Sequence, residues 1–486
     1  MSQPRNILLI GIMFMCIFAT QINYAYITVN SQNDPYPPYS TPDPHTYFQT
    51  SEKLYLKGLT DNDKHDNFTF SFSPFGQNAC KGKDICSIEA ELGDLQGKWA
   101  MIAMLFGATP EGYTLAPALV EARETLFPGV PLDEPIEDAQ AIDAAKLCGF
   151  FSAPLQYRKR GLRLEFEGRL IGDMGLQLQL GFVDISQNLC CCGGPGSCAS
   201  PCPPTEGCCS SNDICAGLIN LTNKTGADCT TLGSDTLTKA NINDTLMDPI
   251  CIIAEQICTN IDPFNATSVE DIRPSLFWRH AYVINNDRLG WPQFLITPFL
   301  TLDAGIMVGK ERKLNHKFAL PFGSNHHSIG ASAGFNIDFP ASVELGCQIS
   351  IAHFFPKDFC RMPMPTSCLQ SGLFPFCTDV RIAPGRNWNF SAKMSAYHFL
   401  ERLSFYFQYA LIQHDNDKIC LKCPDPAFKP DILEDRSNWK VQVANIAFNY
   451  DLSPNIALGF LWQAPITQNN AYRSTTVMWC ALNITL

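Results

Sequence analysis

Residues 161–184 constrain this chain more than any other stretch. Leu162, Leu164, Phe166 and Leu170 alternate with Arg163, Glu165, Glu167 and Arg169. After Gly172-Asp173-Met174-Gly175, Leu176, Leu178, Leu180 and Phe182 alternate with Gln177, Gln179 and Gly181. A period of two sorts the side chains onto two faces, one apolar and one charged or amide-bearing, so the stretch reads as two strands and a tight turn. Each strand is about 9 to 11 residues, the length that crosses a bilayer at roughly 45° of tilt. Strands of soluble sheets run about 5 to 6 residues. The expected class is therefore all-β, with apolar residues toward lipid and polar ones toward a lumen.

The same alternation recurs further on. It is seen in Ile296, Leu300, Leu302, Ala304 and Ile306, then in Ile329 through Ile337, and in Val343 through Ile351. Residues 388–398 and 402–412 form the next pair, the second with Leu403, Phe405, Phe407, Tyr409 and Leu411 on one side. Residues 439–450 and 456–462 follow, with a change of apolar phase near Ala444 that suggests a bulge. Met478, Cys480, Leu482, Ile484 and Leu486 close the chain. Short turns near 173, 340, 400 and 453 alternate with long connections at 309–327, 355–386, 413–437 and 465–472, as in a single antiparallel up-and-down transmembrane β-barrel. Counting Phe68, Phe70 and Phe72 as a first strand ended by Pro74, two strands in the hairpin, and nine from Leu276 onward gives about 12.

Ahead of these strands, Arg5, the apolar residues 7–19 and the small Ala25 give residues 1–25 the make-up of a cleavable signal peptide. Residues 26–66 read as an irregular N-terminal arm. The barrel then takes residues 67–486, with insertions at 77–150 and 187–274. In the first insertion, residues 88–105 and a stretch from Thr114 to Leu126 have helical spacing, with Thr114 as a candidate cap. The formal charge of −12 excludes nucleic acid as a partner, since that needs a basic patch.

The chain has 22 cysteines. Behind a signal peptide such usage points to an oxidising compartment and to disulfides. Cys190, Cys191, Cys192, Cys198, Cys202, Cys208, Cys209 and Cys215 crowd the second insertion, which needs stapling because it has no core of its own. Cys80, Cys86, Cys251, Cys258, Cys360, Cys368, Cys377, Cys420 and Cys423 complete the disulfide candidates. Cys420-Leu421-Lys422-Cys423 is a lone C-x-x-C without the second pair that a zinc site wants, so no metal or cofactor is expected.

With its long amphipathic strands, alternating turn lengths and signal peptide, the chain resembles bacterial outer-membrane β-barrels of the porin-like kind over residues 161–184 and 276–486. The cysteine load is similar to that of porins whose disulfides stiffen the envelope. The resemblance implies outer-membrane localisation and passive passage of small solutes. Its implied partners are the lipid bilayer, the solutes, and either a homo-oligomer or disulfide-linked neighbours. Arg163, Glu165, Glu167, Arg169, Gln177, Gln179, Glu344, Gln348, Lys393 and Gln408 become the polar lumen set.

Alternatives remain: a cross-linked envelope protein without an open pore, or a secreted or viral all-β glycoprotein, given N-x-[ST] sequons at Asn67, Asn220, Asn223, Asn243, Asn265, Asn389 and Asn483. His326 and Ser328 form an H-x-S pair of the kind used by outer-membrane phospholipases, but no P-loop, G-x-S-x-G or H-E-x-x-H accompanies it. The chain is not expected to be an enzyme.

Overall fold

The computed structural model describes residues 68–95, 98–131, 136, 150–171, 173–189, 219–220, 245–246, 249–286, 292–311, 315–320, 322–339, 343–400, 402–453 and 456–485. The expected signal peptide, the expected N-terminal arm and Cys190 to Cys215 lie outside these residues.

Antiparallel strands dominate. In chain order they are β1 (Phe68–Lys83), β2 (Glu89–Glu91), β3 (Trp99–Ala100), β4 (Phe150–Ser152), β5 (Leu155–Ile171), β6 (Met174–Leu189), β7 (Ile219–Asn220), β8 (Phe264–Val269), β9 (Arg273–Arg279), β10 (Tyr282–Asn286) and β11 (Pro292–Gly305). They continue as β12 (Ser328–Phe339), β13 (Val343–Phe354), β14 (Lys357–Met364), β15 (Phe376–Ala383), β16 (Asn387–Leu400), β17 (Leu403–His414), β18 (Lys418–Leu421), β19 (Trp439–Ser453), β20 (Ile456–Asn469) and β21 (Ala471–Thr485). The main sheet runs β10-β11-β12-β13-β16-β17-β19-β20-β21-β1-β5-β6-β8, with β9 paired to both β11 and β6.

The segment from β8 to β10 lies end to end between β6 and β11. Phe182 to Gln187 of β6 pair with β8, and Met174 to Gln179 pair with β9. On the other side β11 pairs with β10 and β9. Where β8 gives way to β9 the ladder persists, because Glu270 N donates to Gly181 O at 2.7 Å and Ile272 N to Ile306 O at 3.0 Å.

The two faces of this sheet are inverted relative to a water-soluble protein. In β16, Phe390 is 47% exposed while its neighbours Asn389 and Ser391 are 1% and 2% exposed. The same contrast sets Leu302, Ile349 and Phe335 on the exposed face against buried Ser332, Glu344 and Ser350. In β17, Ser404, Tyr406, Gln408, Ala410 and Ile412 are buried, and the odd-numbered residues of the expected apolar side lie on the other face. Soluble antiparallel sheets bury their apolar face instead.

Several expectations need correction. The first strand continues through Pro74 to Lys83. The proline is accommodated where the register with β21 shifts between Phe72 and Phe75, the position in a sheet at which its missing N–H is tolerated. The described residues of 88–105 form no α-helix but β2, β3 and two 3-10 turns. Trp99 to Phe106 are at most 2% exposed throughout, so this run is buried on every side and has no solvent face to make it amphipathic. A helix does form at Pro117–Leu126, but its N-cap is Ala116, with no side-chain cap.

Inward burial in β19 alternates without a break from Trp439 to Asn449. The apparent phase change near Ala444 comes from a change of inward neighbours, apolar at Trp439, Val441 and Val443 and polar at Asn445 and Asn449. The register shift belongs to β20, where Pro465 faces Val443 and Thr467 faces Gln442. The expected loop at 465–472 is a tight turn at Asn470, whose φ is +50°, a left-handed conformation that asparagine tolerates.

Candidate functional site

Lengthening the opening hairpin backward adds a second inward cation to its buried face. β5 begins at Leu155, so the inward phase of Arg163 also carries Lys159 and Tyr157. These meet Glu270, which the junction of β8 and β9 turns inward over Gly181. A Cβ at Gly181 would collide with the Glu270 carboxylate, so that close approach requires glycine. Lys159 Nζ donates to Glu270 Oε1 at 2.5 Å; Arg163 donates from Nε to Oε2 at 2.8 Å and from Nη2 to Oε1 at 3.0 Å. The guanidinium also lies over the Phe75 ring, 4.5 Å from its centroid. Asp271 faces a different loop and accepts Ser324 N at 2.6 Å and Ser324 Oγ at 2.7 Å.

Most of the expected lumen set is found on this buried face. Arg163, Glu165, Gln179, Glu344 and Gln408 are buried, and Glu167, Gln177, Gln348 and Lys393 are half-buried. The Arg169 side chain lies outside what the structure describes. Gln177 donates to Glu165, Arg279 pairs with Glu167 at 2.5 Å, and Lys393 with Glu344 at 2.5 Å. Lys393 and Glu344 thus face each other across the neighbouring strands β16 and β13, whereas Arg279 on β9 reaches Glu167 on β5 over the intervening β6. Lys159, Glu270, Asp271 and Arg279 escaped the sequence reading. Counting back in twos from Arg163 would have found Lys159, whereas Glu270 and Asp271 sat inside the expected insertion.

Part of the inner face is apolar. Tyr157, Val183, Tyr406, Leu461 and Tyr472 of the main sheet belong to one core with Trp99 to Phe106. Loops distant in sequence hold this segment. Gln370 Nε2 donates to Phe106 O at 2.9 Å, Lys317 Nζ sits 5.4 Å from the Trp99 ring centroid, and Phe318 stacks on that ring at 6.2 Å. Tyr472 donates its hydroxyl to Gln187 at 3.0 Å behind it. A second small core lies within β14, β15, β18 and the helix Pro430–Asp435.

Beside the apolar segment, Asp94 accepts Ala153 N at 2.9 Å and the Ser152 hydroxyl. Burial outweighs these hydrogen bonds and raises its carboxyl from 3.8 to about 6. A raised acid favours the folded state most when protonated: the contribution is full below about pH 4 and lost as pH rises through about 6, a swing on the order of 3 kcal/mol. Proteolysis of this segment is expected to increase across that window, and Asp94→Asn should flatten the profile.

The remaining candidates resolve as follows. His326 is buried, with Nδ1 2.9 Å from the Phe355 carbonyl oxygen and its ring 5.6 Å from that of Phe359. Asn389 is buried within the sheet, so its sequon has no room for a glycan. Cys86, Cys258, Cys360, Cys368, Cys377, Cys420 and Cys423 are not joined in disulfides in this structure. Among the described residues no group of three or more His, Cys, Asp or Glu is arranged to hold a metal ion.

No family model matches the sequence, and no curated protein does. Among solved structures the chain is similar to an outer membrane channel from Pseudomonas putida F1, at 7% identity over 86% of this chain and 95% of that one, with a TM-score of 0.42. It is also similar to the toluene transporter TodX of Pseudomonas putida, at 7% identity over 96% and 99% with a TM-score of 0.28. The translocator domain of the autotransporter NalP from Neisseria meningitidis gives 7% identity over 91% and 99%, with a TM-score of 0.26.

Proposed function

We propose that this chain is an outer-membrane β-barrel of twelve wall strands serving as a porin-like channel for small solutes. The observation that carries the reading is the inversion of its faces: paired charges, amides and hydroxyls inside, and Phe, Leu and Ile outside, along the middle of strands of 12 to 17 residues such as β12 and β5. Lipid is the solvent that rewards such a surface. The pairings support that count. Walking from β9 through β11, β12, β13, β16, β17, β19, β20, β21, β1, β5 and β6 returns to β9, and twelve strands have been passed. An even number suits an outer-membrane barrel, with the short turns on one side and the long connections on the other.

Reconstitution into planar bilayers tests the channel, and heat-modifiable gel mobility tests the barrel. The apolar core around Trp99 to Phe106 favours a second reading, a sealed envelope scaffold, because it joins loops to inward residues of the wall. Discrete conductance steps support the channel; a barrel that inserts but never conducts supports the scaffold. In the channel, Glu165→Lys together with Glu167→Lys is expected to move ion selectivity toward anions, read as a shift in reversal potential under a salt gradient. Unchanged selectivity would restrict both carboxylates to pairing with Gln177 and Arg279.

A further inference from the structure

The helix Ile250–Gln256 ends in an unusual way. Its cap is Ile257, and Cys258 follows with φ of +58°. Helices commonly stop on a left-handed residue, but glycine fills that place because it has no Cβ to clash. A cysteine here accepts strain that glycine avoids, and its side chain is exposed. Opposite it, on β15, the Cys377 thiol donates to the Ile257 carbonyl oxygen at 3.6 Å. That oxygen lies about 2.8 Å from the next Cα, so Cys377 Sγ is within about 6.4 Å of Cys258 Cα, which places the two cysteines in the neighbourhood a disulfide needs.

We infer that Cys258 and Cys377 form a disulfide in the mature protein, tying the end of the helix Ile250–Gln256 to the small outer sheet β14-β15-β18. The link joins two regions otherwise separated by more than a hundred residues of chain, and it fastens the second insertion to the loops that surround Trp99 to Phe106. It rests on the proposed export only for its oxidant, a dithiol-disulfide exchange partner. In the first step Cys258 thiolate attacks the partner disulfide and releases one thiolate. Cys377 then gives its proton to solvent and attacks Cys258 Sγ, releasing the second. The two protein thiols are oxidised by two electrons, and the partner leaves as a dithiol.

The order follows from the surroundings. Burial, and after it the neighbouring Cys258, pushes the Cys377 thiol up to about 12, so the exposed Cys258 must react first. A high-pKa thiolate is also a poor leaving group, so the closed bridge should yield slowly to reductants.

The test is peptide mapping of the purified full-length protein, unfolded and alkylated without reductant. The expected result is a linked pair of peptides containing Cys258 and Cys377, absent from Cys258→Ser and Cys377→Ser. A folded, thiol-reduced sample given excess oxidised glutathione supplies the second arm, because it forms the bridge whatever compartment the protein came from. Both thiols remaining alkylatable in that arm, or Cys258 linked to a different cysteine, overturns the inference. A protein that conducts in bilayers yet fails both arms separates this failure from failure of the channel reading.

Discussion

Replacing Glu270 with alanine is expected to cost the folded protein about 3–5 kcal/mol, the range for removing one partner of a buried ion pair. Lys159 and Arg163 are 5% and 9% exposed, so neither can turn to bulk water when its carboxylate is lost, and the two cations then repel each other. The effect reaches beyond one bond. Glu270 lies where β8 passes into β9, and its side chain fastens that junction to β5 while its backbone holds β6. The measurement is the midpoint of the heat-induced mobility shift in detergent, which should fall sharply for Glu270→Ala and less for Glu270→Gln, which keeps an acceptor oxygen. The triple change Glu270→Met, Lys159→Met and Arg163→Met should recover much of the loss, because no buried charge then lacks a partner. An alanine variant as stable as the parent would mean that water reaches the triad.

The middles of the wall strands were legible in the sequence, while their ends toward the long connections were not, and one cause covers most cases. Between residues 161 and 182 the inward neighbours are polar, so the two faces differ in chemistry and the alternation can be read. At Tyr157, Val183 and Ile185 the inward side chains meet the apolar core, while Arg158, Arg160 and Asp184 are exposed on the other face, so the alternation reverses its phase although the strand continues. β19 shows the same change between Val443 and Asn445. The helical reading of residues 88–105 failed for a related reason. Spacing suggests a helix only when one side is wet, and here Trp99, Ile102 and Leu105 are enclosed by Leu373, Phe318 and the wall. The inward charges were readable singly, but Glu270 was not, since nothing local marks a residue turned inward by a break in a strand.

Leu302→Arg is the substitution that most directly asks which solvent the wall meets. Leu302 is 53% exposed on β11, between Leu276 of β9 and Ala331 of β12. In lipid, an arginine near the middle of a barrel strand costs about 2–4 kcal/mol, and Ile349→Arg on β13 should behave alike. Facing water, both changes would stay within about 0.5 kcal/mol, as exposed surface substitutions do. Ile252 supplies the control: it is 55% exposed on the helix Ile250–Gln256, outside the wall strands, so Ile252→Arg should be neutral in either solvent. Folding yields and denaturant midpoints in phospholipid vesicles separate the cases. Losses at Leu302 and Ile349 with none at Ile252 place lipid against the wall. Three neutral results would return the exposed apolar face to water, and the channel reading would fall with it, since a polar interior passes solutes between compartments only if the barrel spans what divides them.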